Sequence, residues 1–218
     1  MDHDKMMSGP LAGVSALVLR DAIANGQLTV REFADRLIAH IESVEPEIGA
    51  FAWFDADYIR QQADGLDAYK LSGGPLGPLH GVPVGIKDII DTKKIPTENG
   101  TVLDQGRVPT KDATLVSRLR AAGALIIGKT VTTELAFLTP SKTKNPHGTE
   151  HTPGGSSSGS AAAVAAGMVS IAVGSQTGGS VIRPASFCGV CGFKPSFGLI
   201  PRTGMLAQSP SLDTVGVF

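Results

Sequence analysis

Gly123-Ala124-Leu125-Ile126-Ile127-Gly128-Lys129-Thr130 carries the spacing G-x-x-x-x-G-K-[ST] letter for letter, and how it is read decides the fold. A phosphate-cradling loop of that spacing needs a strand before its first glycine and a flexible polar turn whose N–H groups converge on the anion. Here the four intervening residues are Ala124, Leu125, Ile126 and Ile127. A short apolar run bounded by turn residues reads as a buried strand in its own right. The octapeptide is therefore expected to be core, not a nucleotide site.

Outward from it, short apolar segments alternate with helical stretches: Val82–Ile86, a helix near 113–122, Ala124–Ile127, a helix near 158–167, and Ser170–Val173. Such alternation predicts an α/β architecture with a mixed, mostly parallel sheet flanked by helices. Upstream, Leu17, Val18 and Ile23 before Asn25-Gly26 predict a short helix. Thr29-Val30-Arg31-Glu32 is a capping box opening a second helix that Pro46 is expected to end. A strand over Phe51–Phe54 and a helix over 55–69 follow. Residues 1–70 are read as a helical leader packing on the core, and 71–218 as the α/β domain that carries that core. The last residues, Leu212, Val215, Val217 and Phe218, read as an apolar strand, which predicts a domain incomplete at its C-terminus.

The chain has 218 residues, 42% hydrophobic and 18% charged, with a formal net charge of −1, which predicts a globular protein. Without a basic run there is no electrostatic footprint for nucleic acid. The weakly polar stretch 160–174 is shorter than the ~20 residues of a membrane span. Met1–Pro10 lacks an apolar h-region, so it is not read as a secretory signal, and a cytoplasmic location is expected.

Three motifs are read as structural. Cys188 and Cys191 form a C-x-x-C without the further soft ligands zinc needs, and packing is preferred. His147-Gly148-Thr149-Glu150-His151 has zinc spacing, but Pro146 and Pro153-Gly154-Gly155 leave no room for the required helix, so a polar loop is expected. Gly155-Ser156-Ser157-Ser158-Gly159 fits a nucleophile elbow centred on Ser157. No strand precedes it, however, and all five histidines lie upstream, against the order of that fold.

Lys87 in Gly85-Ile86-Lys87-Asp88, Ser156 in Gly154-Gly155-Ser156-Ser157, and Ser180 in Thr177-Gly178-Gly179-Ser180 remain. Singly, each reads as a strand-end lysine or a turn serine. Together with the flanks Thr152-Pro153-Gly154-Gly155-Ser156, Phe187-Cys188-Gly189 and Gly192-Phe193-Lys194-Pro195, they give a chain that resembles the amidase signature family of serine hydrolases. Members of that family are longer, so the resemblance covers only the N-terminal half of a complete enzyme, an α/β/α sandwich.

The resemblance implies a Ser-Ser-Lys triad for a small-molecule amide substrate, with no cofactor and no metal. Ser180 matches the nucleophile, Ser156 the bridging serine after a cis peptide, and Lys87 the base. Main-chain N–H groups of Thr177, Gly178, Gly179 and Ser180 match the oxyanion site. Arg183 matches the arginine with which malonamidase-like members bind a substrate acid, or else it braces the sheet through an internal acid. Burial after Val82–Ile86 would bring the Lys87 ammonium down from ~10.4 toward the ~7–8 useful to a general base, unless Asp88 points inward.

Two alternatives stand beside the stand-alone amidase. A glutaminase subunit of a tRNA-dependent amidotransferase is the nearest, and Gln176, where that branch has Asp, argues against it. A catalytically silent binding or structural fragment is the second; as to assembly, a homodimer is the expectation.

Overall fold

The computed structural model describes residues 14–218, so the reading of Met1–Pro10 lies outside the described residues. In order, the elements are α1 (Ala16–Ala24), α2 (Val30–Ile48), β1 (Phe51–Phe54), α3 (Ala56–Leu71), β2 (Pro83–Lys87), α4 (Thr114–Ala121), β3 (Leu125–Thr130), α5 (Ser158–Ala165), β4 (Ile171–Gln176), α6 (Ile182–Phe187) and β5 (Thr214–Val217). All six residues of β3 are buried, as a core strand requires.

The five strands are ordered β1-β3-β2-β4-β5. β3, β2 and β4 run parallel in the centre, while β1 and β5 close the edges antiparallel. Alternation along the strands gives the sheet two apolar faces. Leu125, Ile127 and Ala172 pack with Phe33, Leu37 and Ile59 of α2 and α3 and with Ala162 of α5. Val84, Ile86, Ile126, Val173 and Val215 pack on the other side with Val116 of α4. Helices on both faces of a sheet with a parallel centre make the α/β/α sandwich.

α2 opens on the capping box expected at Thr29 and Glu32. Its end differs: the helix runs through Pro46 to Ile48 and stops at Gly49, whose φ of 62° is left-handed. A proline in the last turn costs one intrahelical hydrogen bond. The Glu45 carboxylate instead takes the N–H groups of Ala50 and Phe51, at 2.9 and 2.8 Å, and ties the helix end to β1.

α5 sits unusually close to the sheet. A Cβ on Gly159 would lie 2.2 Å from the Ala50 carbonyl oxygen and 2.3 Å from the Val131 nitrogen, so only glycine fits. Ser160 and Thr130 share a hydrogen bond of 2.7 Å beneath it.

Candidate active site

Lys87 is the last residue of β2 and is fully buried. Its Nζ donates to Ser156 Oγ at 2.8 Å and to Ser175 Oγ at 2.9 Å. Burial brings its pKa down to about 7, against the opposing pull of the Asp213 carboxylate. At ~1.4 kcal/mol per pH unit, a fall from 10.5 to about 7 is a net bias against the ammonium on the order of 5 kcal/mol, after the offset from Asp213.

Asp88 does not oppose this. Its buried carboxylate turns to the N–H of Glu98 and to Lys129 Nζ, 3.6 Å away. Burial pushes the Asp88 carboxyl up to about 6 and holds Lys129 down at about 8. Lys129 Nζ donates to the carbonyl of Ile90 and to Thr97 Oγ1, each at 2.6 Å. The lysine of the apparent phosphate loop thus ties down the segment that leaves the Lys87 strand.

Ser156 is buried, and its peptide bond with Gly155 is cis. Its carbonyl accepts the Thr133 N–H at 3.0 Å. Arg183, from α6, donates Nε and Nη2 to the Gly155 carbonyl oxygen at 3.0 and 2.7 Å. Among the described residues no internal acid braces this arginine; its partner is the main chain beside Ser156.

Ser157 is fully buried and occupied, which removes it as an elbow nucleophile. Its Oγ donates to the Ser175 carbonyl at 3.2 Å and accepts the Ser175 N–H at 3.3 Å. Gly174 makes room for it, since a Cβ there would stand 2.7 Å from Ser157 Oγ.

Ser180 lies in the turn between β4 and α6, half-buried, and its carbonyl accepts the Ser157 N–H at 3.3 Å. Its hydroxyl makes no hydrogen bond among the described residues, so the Lys87–Ser156 link is formed while the Ser156–Ser180 link is not. The N–H groups of Thr177, Gly178, Gly179 and Ser180 also donate to nothing among the described residues.

Sequence reasoning missed the groups that shape this turn. Gln176 Oε1 accepts the N–H groups of Val181 and Ile182, both at 2.9 Å, capping α6 from across the turn. Thr177 Oγ1 donates to Asp213 Oδ1 at 2.5 Å and lies 3.1 Å from Gln208 Oε1, and Asp213 Oδ2 takes the N–H groups of Gln208 and Ser209. Gln176 and Thr177, just before the Gly-Gly-Ser run, carried a local signal, whereas Gln208, Ser209 and Asp213 carried none.

The remaining motifs are structural in form. His147–His151 is a turn, with His147 Nε2 2.8 Å from the Cys188 carbonyl oxygen. Cys188 packs in the core with its thiol pushed up to about 12 by burial, whereas Cys191 is exposed rather than packed. Among the described residues, no group of three or more His, Cys, Asp or Glu could hold a metal ion, and no helix is long and apolar enough to cross a membrane.

This fold agrees with the comparisons. The Amidase family model matches residues 32–218. The chain is 45% identical over 205 residues to the A subunit of the glutamyl-tRNA(Gln) amidotransferase of Synechococcus sp. (strain WH7803), covering 91% of this chain and 42% of the relative. The native peptide amidase of Stenotrophomonas maltophilia superposes with a TM-score of 0.88 at 33% identity, over 95% of this chain and 45% of that one. An amidase family protein from Bacillus anthracis gives 0.89 at 29% identity, over 99% and 45%. The chain belongs to the amidase family, and it spans less than half the length of these relatives.

Proposed function

We propose that the protein hydrolyses a small carboxamide to a carboxylate and ammonia or an amine, with Ser180 as nucleophile, Ser156 as proton bridge and Lys87 as general base. One observation carries this reading: a fully buried lysine, brought down to about 7, with its nitrogen 2.8 Å from a buried serine hydroxyl. Neutral Lys87 takes the Ser156 proton as Ser156 takes that of Ser180. The freed Ser180 oxygen attacks the amide carbon. Catalytic hydrogen bonds in unliganded enzymes are often open and tighten when substrate arrives, which fits the unbonded Ser180 hydroxyl.

The four free N–H groups from Thr177 to Ser180 support an oxyanion site, each aligned donor being worth ~3–4 kcal/mol in the transition state. Proton return through Ser156 lets the amine leave, and water attacks the acyl-Ser180 by the reverse route. Residues 71–218 supply this apparatus on the leader 1–70, in a cytoplasmic enzyme.

A second reading has its own observation, the 45% identity to one component of a glutamyl-tRNA(Gln) amidotransferase. There the same chemistry would release ammonia from glutamine for a partner protein, and assembly in a complex would replace the homodimer. Gln176 in place of that branch's aspartate favours the stand-alone amidase. Transfer to hydroxylamine decides: hydroxamate from simple amides supports the first reading, hydroxamate from glutamine alone supports the second, and none from either contradicts both.

A further inference from the structure

Lys87 touches two hydroxyls, and the proposed relay uses one of them. Ser175 Oγ, on β4, is buried and lies 2.9 Å from Nζ, nearly as close as Ser156 Oγ at 2.8 Å. A neutral amine has two N–H donors and a single lone pair. To act as a base it must aim that lone pair at the Ser156 O–H, so an N–H has to be accepted elsewhere.

Ser175 is built to accept it. Its main chain is clamped on both sides by Ser157 Oγ, through the carbonyl at 3.2 Å and the N–H at 3.3 Å. Its hydroxyl has no partner among the described residues other than Lys87. We propose that Ser175 is a positioning residue for Lys87, holding one N–H so that the lone pair faces Ser156 and then sharing the charge of the ammonium that forms. The proposal rests on the Ser-Ser-Lys reading above. It also gives Ser157 its use, as the clamp on Ser175.

The sign of the effect is fixed by the groups that face Nζ. These are the Asp213 carboxylate from the segment before β5, Ser156 Oγ from the segment before α5, and Ser175 Oγ from β4. Asp88, next along the chain from β2, is turned to Lys129 of β3. An acceptor on Nζ favours the charged amine, so its removal disfavours ammonium.

The test is the titration of Lys87 followed by NMR in protein carrying 13Cε-labelled lysine, its resonance assigned by its loss in Lys87→Met. Ser175→Ala is expected to move the midpoint down by about one pH unit, Ser175→Thr to restore it, and Ser175→Cys, a weak acceptor, to fall between. A wild-type midpoint in Ser175→Ala, or in Ser175→Cys should the alanine variant fail to fold, overturns the proposal. Labelling of Ser180 by a fluorophosphonate is followed in parallel and is expected to slow at least tenfold in Ser175→Ala. An unlabelled wild-type Ser180 would sink the triad reading, while the titration would still decide the role of Ser175.

Discussion

Arg183 grips the Gly155 carbonyl oxygen with two nitrogens of its guanidinium, Nε at 3.0 Å and Nη2 at 2.7 Å. That joins α6, which follows the turn bearing Ser180, to the peptide bearing Ser156. The grip uses the planar fork that distinguishes arginine from lysine. Arg183→Lys is therefore expected to lower kcat by ~10–100-fold, since a ~1 Å misplacement of a catalytic group costs about that much. The loss should be the same for neutral and carboxylate-bearing amides. A rise in KM confined to acidic amides would instead assign Arg183 to the substrate.

Lys129 and Asp88 form a buried pair, 3.6 Å apart, under the segment that follows Lys87. Removing one partner strands the other in the interior. Lys129→Met is expected to cost ~3 kcal/mol of stability in urea denaturation, and adding Asp88→Asn to recover part of it. Strictly additive losses would mean that the two side chains do not interact.

His80 is buried, and its Nε2 has no partner among the described residues. Burial, the larger influence, holds its pKa below the usual imidazole value. With the folded pKa depressed, the unfolded chain binds the proton first, at ~6.5. The His80 contribution is then fully present above that pH and is lost as the pH falls. His80→Leu should flatten the decline of thermal stability on the acid side. An unchanged slope would place the acid sensitivity elsewhere.

Much of this was legible in the chain. β1 and the capping box of α2 are local facts, set by Phe51–Phe54 and by Thr29 with Glu32. The apolar run before Lys129 outweighed a misleading glycine spacing because burial is a property of the run itself. Lys87, Ser156 and Ser180 stood out only jointly.

Long-range packing hid the rest. Ser175 meets Lys87 across 88 residues of chain, and Thr177 meets Asp213 across 36. Nothing next to either residue marks the contact. Pro46 misled because a proline in a final turn costs little when Glu45 and Gly49 finish the helix. Which way Asp88 points was decided by Lys129, a residue on another strand.

The central claim is that Ser180 is activated by an uncharged Lys87 acting through Ser156. The most direct measurement is the site and rate of fluorophosphonate addition, read by peptide mass spectrometry from pH 5 to pH 9. The expected result is a single adduct on Ser180, forming faster as the pH rises through about 7, where Lys87 gives up its proton, and absent in Lys87→Met. An adduct on Ser157, or a rate indifferent to pH and to the loss of Lys87, would contradict it.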